Sequence, residues 1–440
     1  MSRIPTIKFS SSQEKALKKM RDGGNLFLTG KGGTGKSFLV EAFVATKENP
    51  VVLAPTGPAA INVKGSTIHS FFGLVPHYRD PMSYYEKFAK EIAKPEGLWD
   101  EKVKKIFDLV VAIDCLVVDE VGMVRSDVFS AMDLICRACM EEPNIPFGGI
   151  QVIGVGDLYQ LPPVVTNQEK RWIPNGKEWF FISPGFNLDS FEIIELTEVQ
   201  RQSEKEWEFV DCLNAIRENE LEDWHLEFIN KKVTSEVDKD SVVLCSRKKR
   251  ASDINQEKLE NLSSKFIVFD GDYFGDDEQI QNFPVSKKLW MKKDAKVMFL
   301  TNNPAKGWFN GMIGTFIGKR GDAALVRVGE KLIHVPKHEF EIKKYVKNSE
   351  GQIDLETVAS LEQLPLQLSW AITIHKAQGK SLDKIHLDLG EQGAFAHGQS
   401  YVGLSRCISY EGLTLEHPLN EKDVKCDPVI KEFMSKAILA

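Results

Sequence analysis

Residues 25–37 read NLFLTGKGGTGKS, and the fold turns on them. NLFL is short and apolar and runs straight into glycines, as a buried strand does when it ends in a turn. SFLVEAFVAT, residues 37–46, then repeats its apolar positions at helical spacing. Strand, Gly-rich turn and helix in that order form a phosphate cradle. Gly30, Gly32, Gly33 and Gly35 let successive backbone N–H groups turn inward, and the positive end of the helix points at the same place. Gly30–Ser37, with Thr34 inside it, satisfies GxxxxGK[ST] in full. Lys36 is placed to neutralise the β- and γ-phosphates of ATP, and Ser37 to ligate Mg²⁺.

Three more segments repeat the pattern of an apolar run ending in polar or turn residues: PVVLAPTG (50–57), CLVVDEVG (115–122) and IQVIGVGD (150–157). Strands alternating with helices predict an α/β fold with a parallel sheet covered on both faces, and the ligand at the carboxyl ends of the strands. Asp119 would hold the Mg²⁺ shell there, and Glu120 would position the attacking water. Gln160 follows the last of these strands, where an amide can sense the γ-phosphate. A second strand series begins with FEIIELTEV (191–199) and SVVLCSR (241–247), and resumes in LQLSWAITIHKAQG (366–379) and KIHLDLG (384–390). The reading is two α/β domains, residues 1–190 and 191–440. Each carries an insertion: an aromatic, basic segment at about 70–105, and a small β-barrel at about 300–360 suggested by short β-runs with Gly turns.

Composition narrows the class. The chain has 440 residues, too many for one core, and no apolar run of 18 that could span a membrane. The first residues lack the apolar core of a secretory signal, so a cytoplasmic protein is expected, of bacterial or phage type. Seven scattered cysteines suit a reducing compartment. Cys136 and Cys139 form a CxxC inside an amphipathic helix with no second ligand pair, which predicts two packing thiols. A net charge of −7 argues against indiscriminate binding to polyanions, but a basic groove can sit on an acidic body.

The ordered motifs resemble the superfamily-one helicases of the 5′→3′ subclass, and within it the Pif-type (petite integration frequency) helicases. SSQEKAL (11–17) resembles the motif whose glutamine, here Gln13, reads adenine. APTGPAAINVKGSTIHSFFG (54–73) is similar to the DNA-contacting motifs, IPFGGIQVIGVGDLYQLPPV (145–164) to the family signature, and ELTEVQRQ (195–202) to motif IV. ITIHKAQGKSLD (372–383) resembles motif V and QSYVGLSRC (399–407) motif VI. The resemblance implies two RecA-like P-loop domains, a wedge at the first insertion and an SH3-like barrel at the second. It implies that Arg201 and Arg406 reach the γ-phosphate from the second domain, and that Gly379 lies on the nucleotide. It also implies DNA contacts by Thr56, Gly57, Thr67, His69, Thr373 and His375, with Phe72, Trp308 and Phe309 free to stack on bases. The implied activity is ATP-dependent 5′→3′ unwinding by a monomer, on duplex or G-quadruplex DNA with a 5′ single-stranded tail. The alternatives are a RecD-like subunit of a larger complex and an ATP-dependent DNA-binding switch that does not unwind. In one place the chain departs from the family pattern: DEVGM puts Gly122 where a serine is expected.

Overall fold

The computed structural model describes residues 9–197 and 206–439. Six strands form the first sheet: β1 (Asn25–Gly30), β2 (Pro50–Ala54), β3 (Ser66–Thr67), β4 (Cys115–Val118), β5 (Gln151–Val155) and β6 (Phe191–Leu196). Their order is β3-β2-β4-β5-β1-β6, and every pairing is parallel. β4 and β5 are buried along their whole lengths, as continuous apolar runs require when helices cover both faces. The second parallel sheet has four strands, in the order Ala371–Thr373, Val242–Cys245, Ile385–Asp388 and Leu413–Leu415. Both sheets point their carboxyl ends into one cleft. This is the expected pair of RecA-like α/β domains.

Three boundaries differ from the sequence reading. FEIIEL does not open the second domain: it is β6, in register with β1 from Asn25↔Phe191 to Gly30↔Leu196. The division expected at 190/191 therefore falls later. The last helix, Pro428–Leu439, returns to the first domain, where Ile430 and Met434 are buried in its core and Phe433 stacks on Phe181 at 4.1 Å. Apolar runs announce strands and helices but carry no label for the sheet they join. The inserted β-structure also starts well before residue 300, with Phe266–Asp270 paired antiparallel to Lys288–Lys292.

The rest of that insertion is a five-stranded antiparallel sheet, Lys331–Val335, Ala323–Val328, Ile313–Arg320, Lys296–Phe299 and Leu366–Leu368, and a long hairpin, His338–Lys347 with Ile353–Gln363, to which the short strand Asp272–Phe274 adds a third. The hairpin reaches the first domain. Tyr345 Oη accepts from Val52 N–H at 2.9 Å, and its ring meets Phe71 edge-on at 5.7 Å. The first insertion is helical, with Pro81–Ile92 and Glu101–Val110 each N-capped by an aspartate, Asp80 and Asp100. Cys136 and Cys139 are buried in the helix Ser126–Cys139, and burial pushes the Cys139 thiol up to about 12. They are packing thiols.

Phe27, at the centre of β1, is fully buried and packs against Phe180 with ring centroids 5.2 Å apart. Phe27→Ala should cost about 3–5 kcal/mol, through lost transfer energy plus the cavity left behind. Chemical denaturation monitored on the first domain measures this; a loss below about 1 kcal/mol would contradict the packing.

Candidate nucleotide and DNA site

The turn after β1 owes its shape to its glycines. Gly35 has φ +85°, and a Cβ on it would lie 2.7 Å from Gln13 Nε2. Gln13 is buried and holds the turn from outside: its Nε2 donates to the Thr34 carbonyl at 3.0 Å, while its Oε1 accepts from Ser10 N–H in a capping box. Thr34 Oγ1 donates to the Lys31 carbonyl at 2.9 Å. Lys36 lies along the turn, donating to the carbonyls of Gly30 at 2.6 Å and Lys31 at 3.0 Å. Burial lowers its pKa, against the opposing pull of Asp157, Glu120 and Asp119. Ser37 is exposed at the first turn of the helix that follows.

The carboxylates stand at the end of β4. Burial raises the pKa of Asp119, and burial with the neighbouring Asp119 charge pushes Glu120 up to about 7. Glu120 also has a left-handed backbone, φ +50°, which costs a non-glycine residue about 1–3 kcal/mol. Gly122 follows, where a Cβ would sit 3.3 Å from the Asp157 carbonyl oxygen. Here two backbones approach each other in place of the hydroxyl contact expected from a serine.

Residues from the two domains meet across the cleft. Gln378 Nε2 donates to Gln160 Oε1 at 3.0 Å and lies 3.4 Å from Glu120 Oε2. Gln160 Nε2 donates to Asp157 Oδ2 at 3.2 Å. Arg406 is 7% exposed, with its guanidinium held by the carbonyls of Val402 and Lys380 and by Ser405 Oγ. A methyl group on Gly32 would lie 3.9 Å from Arg406 Nη2, so this arginine is beside the glycine turn. Gly379 occupies an exposed turn next to Gln378. Arg201 falls outside the described residues. Sequence reasoning passed over Gln378 and Asp157, although both stand inside quoted motifs. It had no signal at all for Arg217 on the helix Trp207–Glu218.

The expected DNA residues share one local design. Thr56, Thr67 and Thr373 each stand at or just after a strand's end and N-cap a short helix, accepting from Ala59, Ser70 and Lys376 N–H respectively. His375 is exposed, and His69 half-buried. Gly57 opens its helix close to Asn282, to whose Cβ a methyl would come within 3.2 Å. Two aromatic expectations are corrected. Phe72 is 1% exposed in the first core, against Phe71, and Trp308 is 2% exposed, stacked on Phe299. Rings packed so completely present no face to a base. Phe309, 52% exposed, remains available.

The PIF1-like helicase family model matches residues 8–238. The ATP-dependent DNA helicase Pif1 of Bdellovibrio bacteriovorus is 32% identical over 98% of this chain and 92% of its own length. Human PIF1 is 31% identical over 98% of this chain, which spans 64% of that protein. Among solved structures, Pif1 from Bacteroides sp. in complex with ADP-AlF4 is similar at a TM-score of 0.85 and 30% identity, over 98% of this chain and 97% of that one. Bacteroides Pif1 bound to single-stranded DNA is similar at 0.65 and 29% identity, with the same coverage.

Gly35→Ala should weaken nucleotide binding about tenfold or more, because the left-handed backbone and the Gln13 contact both oppose a methyl group. Titration with a fluorescent nucleotide checks this; an unchanged dissociation constant would show that the turn need not keep its observed form.

Proposed function

The chain belongs to the PIF1-like helicase family and is an ATP-dependent DNA helicase; from that premise we propose that it moves 5′→3′ along single-stranded DNA and unwinds duplexes bearing a 5′ tail. One observation supports the motor reading above the rest. Lys36, Glu120 and Gln160 from the first domain and Gln378 and Arg406 from the second converge on one cleft. ATP bound there touches both domains, so the charge of its γ-phosphate favours the closed arrangement, and hydrolysis releases it.

In this reading Lys36 neutralises the β- and γ-phosphates and Glu120 orients the attacking water. Arg406, with Arg201, meets the charge that develops in the transition state. Ser37 and Asp119 supply a hydroxyl and a carboxylate oxygen, hard donors that fit Mg²⁺, which would screen phosphate charge when bound. Thr56 and Thr67 in one domain, and Thr373 with His375 in the other, grip the DNA backbone. Capping uses the hydroxyl oxygens as acceptors and leaves each O–H proton to donate to a phosphate. Closing and opening of the cleft then alternate which grip is tighter. G-quadruplexes with a 5′ tail fall within the same substrate class, and the chain acts as a monomer.

Lys36→Ala should abolish ATP turnover and leave single-strand affinity within about threefold, since the DNA grip uses other residues. Arg406→Ala should lower kcat by about 10³-fold or more with little change in KM; an effect confined to KM would make it a binding residue. Polarity is tested with two substrates that share a duplex and carry equal tails on opposite strands. Unwinding of the 5′-tailed one is expected, and unwinding of the 3′-tailed one alone would reject the direction. No strand displacement from either would favour a DNA-binding switch.

A further inference from the structure

The helix Trp207–Glu218 buries Phe209, Cys212, Leu213 and Ile216 in the core of the second domain. Asn214 and Arg217, one turn apart, face the opposite domain. Asn214 Oδ1 accepts from Lys31 Nζ, in the phosphate turn, at 2.6 Å. Arg217 Nη2 donates to Asp157 Oδ1 at 3.2 Å and lies 3.4 Å from Glu195 Oε1 at the end of β6, and its guanidinium lies over the Tyr159 ring at 4.0 Å. The ion pair is closed to water, with Arg217 3% and Asp157 4% exposed. A buried pair is a poor source of stability compared with apolar packing, so its placement calls for another reason. The partners supply one. Lys31 belongs to the turn that cradles phosphate, and Asp157 Oδ2 anchors the amide of Gln160, which Gln378 bonds from the other side.

We propose that Asn214 and Arg217 are positioning residues for ATP hydrolysis, through which the second domain aligns the phosphate turn and Gln160 only when the cleft is closed. The proposal deepens the helicase reading and rests on it. With the helix docked, Asp157 has its counter-charge and holds Gln160 in place. With the helix withdrawn, Asp157 and Lys31 lose these partners together, and ATP stays bound on Lys36 without an aligned site. Turnover thereby depends on domain closure.

The experiment uses the full chain and its Arg217→Gln, Arg217→Lys, Asn214→Ala and Asp157→Asn/Arg217→Gln variants. ATP turnover is measured with and without oligo(dT), alongside oligo(dT) affinity and thermal midpoint. Arg217→Gln should lower the oligo(dT)-stimulated kcat about tenfold or more, with KM and DNA affinity within about threefold of the parent. Arg217→Lys should recover part of the loss, and Asn214→Ala should lower kcat about threefold. The double variant should be no slower than Arg217→Gln, because Asp157 no longer leaves an unpaired charge. A parental kcat in Arg217→Gln would overturn the proposal. So would a loss carried entirely by KM, or by a fall in thermal midpoint that cooling reverses. If Arg217→Gln fails to fold, Asn214→Ala decides: a parental kcat there overturns the proposal. A parent chain with no oligo(dT) stimulation would instead overturn the helicase reading, and the variants' basal kcat would still test the alignment.

Discussion

Asp157 is the point on which the two halves of this molecule meet. It ends the approach from β5, is closed to solvent, and spends one carboxylate oxygen on Arg217 and the other on Gln160. A buried carboxylate without a counter-charge costs several kcal/mol, so the second domain's arginine must be present for the first domain's site to hold its shape. The dependence is mutual. Arg217 has acidic partners in Asp157, Glu195 and Glu218, and the first two belong to the other domain. His397 Nε2 adds a hydrogen bond between the domains, 2.8 Å from the Leu158 carbonyl.

Around this pair the cleft is polar and closely spaced. Glu120, Gln160 and Gln378 form a short chain from one domain to the other, and Arg406 stands beside the glycine turn. A carboxyl raised to about 7, by burial and the neighbouring Asp119 charge, beside a lysine lowered by burial marks a site where loss of water disfavours the charged form of each group. The strained backbone at Glu120 belongs with this. Strain of that size persists only where the surroundings over-determine it, here β4 on one side and the close approach of Gly122 to Asp157 on the other.

The domains are also tied away from the cleft. Tyr345, on a hairpin of the second domain's insertion, bonds the backbone of β2, and the C-terminal helix packs Phe433 onto Phe181 in the first domain. The chain therefore passes between the halves more than once.

Much of the candidate nucleotide site was legible in the residues themselves. The glycine turn, Lys36, Ser37 and the Asp119–Glu120 pair follow from local rules: a strand of one length, a turn only glycine can make, a helix of one period. The two α/β domains follow from the recurrence of such units. What the sequence alone could not decide is which distant segments pair. FEIIEL reads as a strand in either domain, and only its register with β1 assigns it to the first. Phe72 and Trp308 read as available rings beside DNA motifs until packing buries them, while Phe309, next in the chain, stays exposed. Arg217 carries no motif, because its role arises from a carboxylate 60 residues away in the chain and on the other domain. Local periodicity records what a segment can become; partners are chosen by the packing of whole domains, where a buried charge or ring accepts only the neighbour that satisfies it.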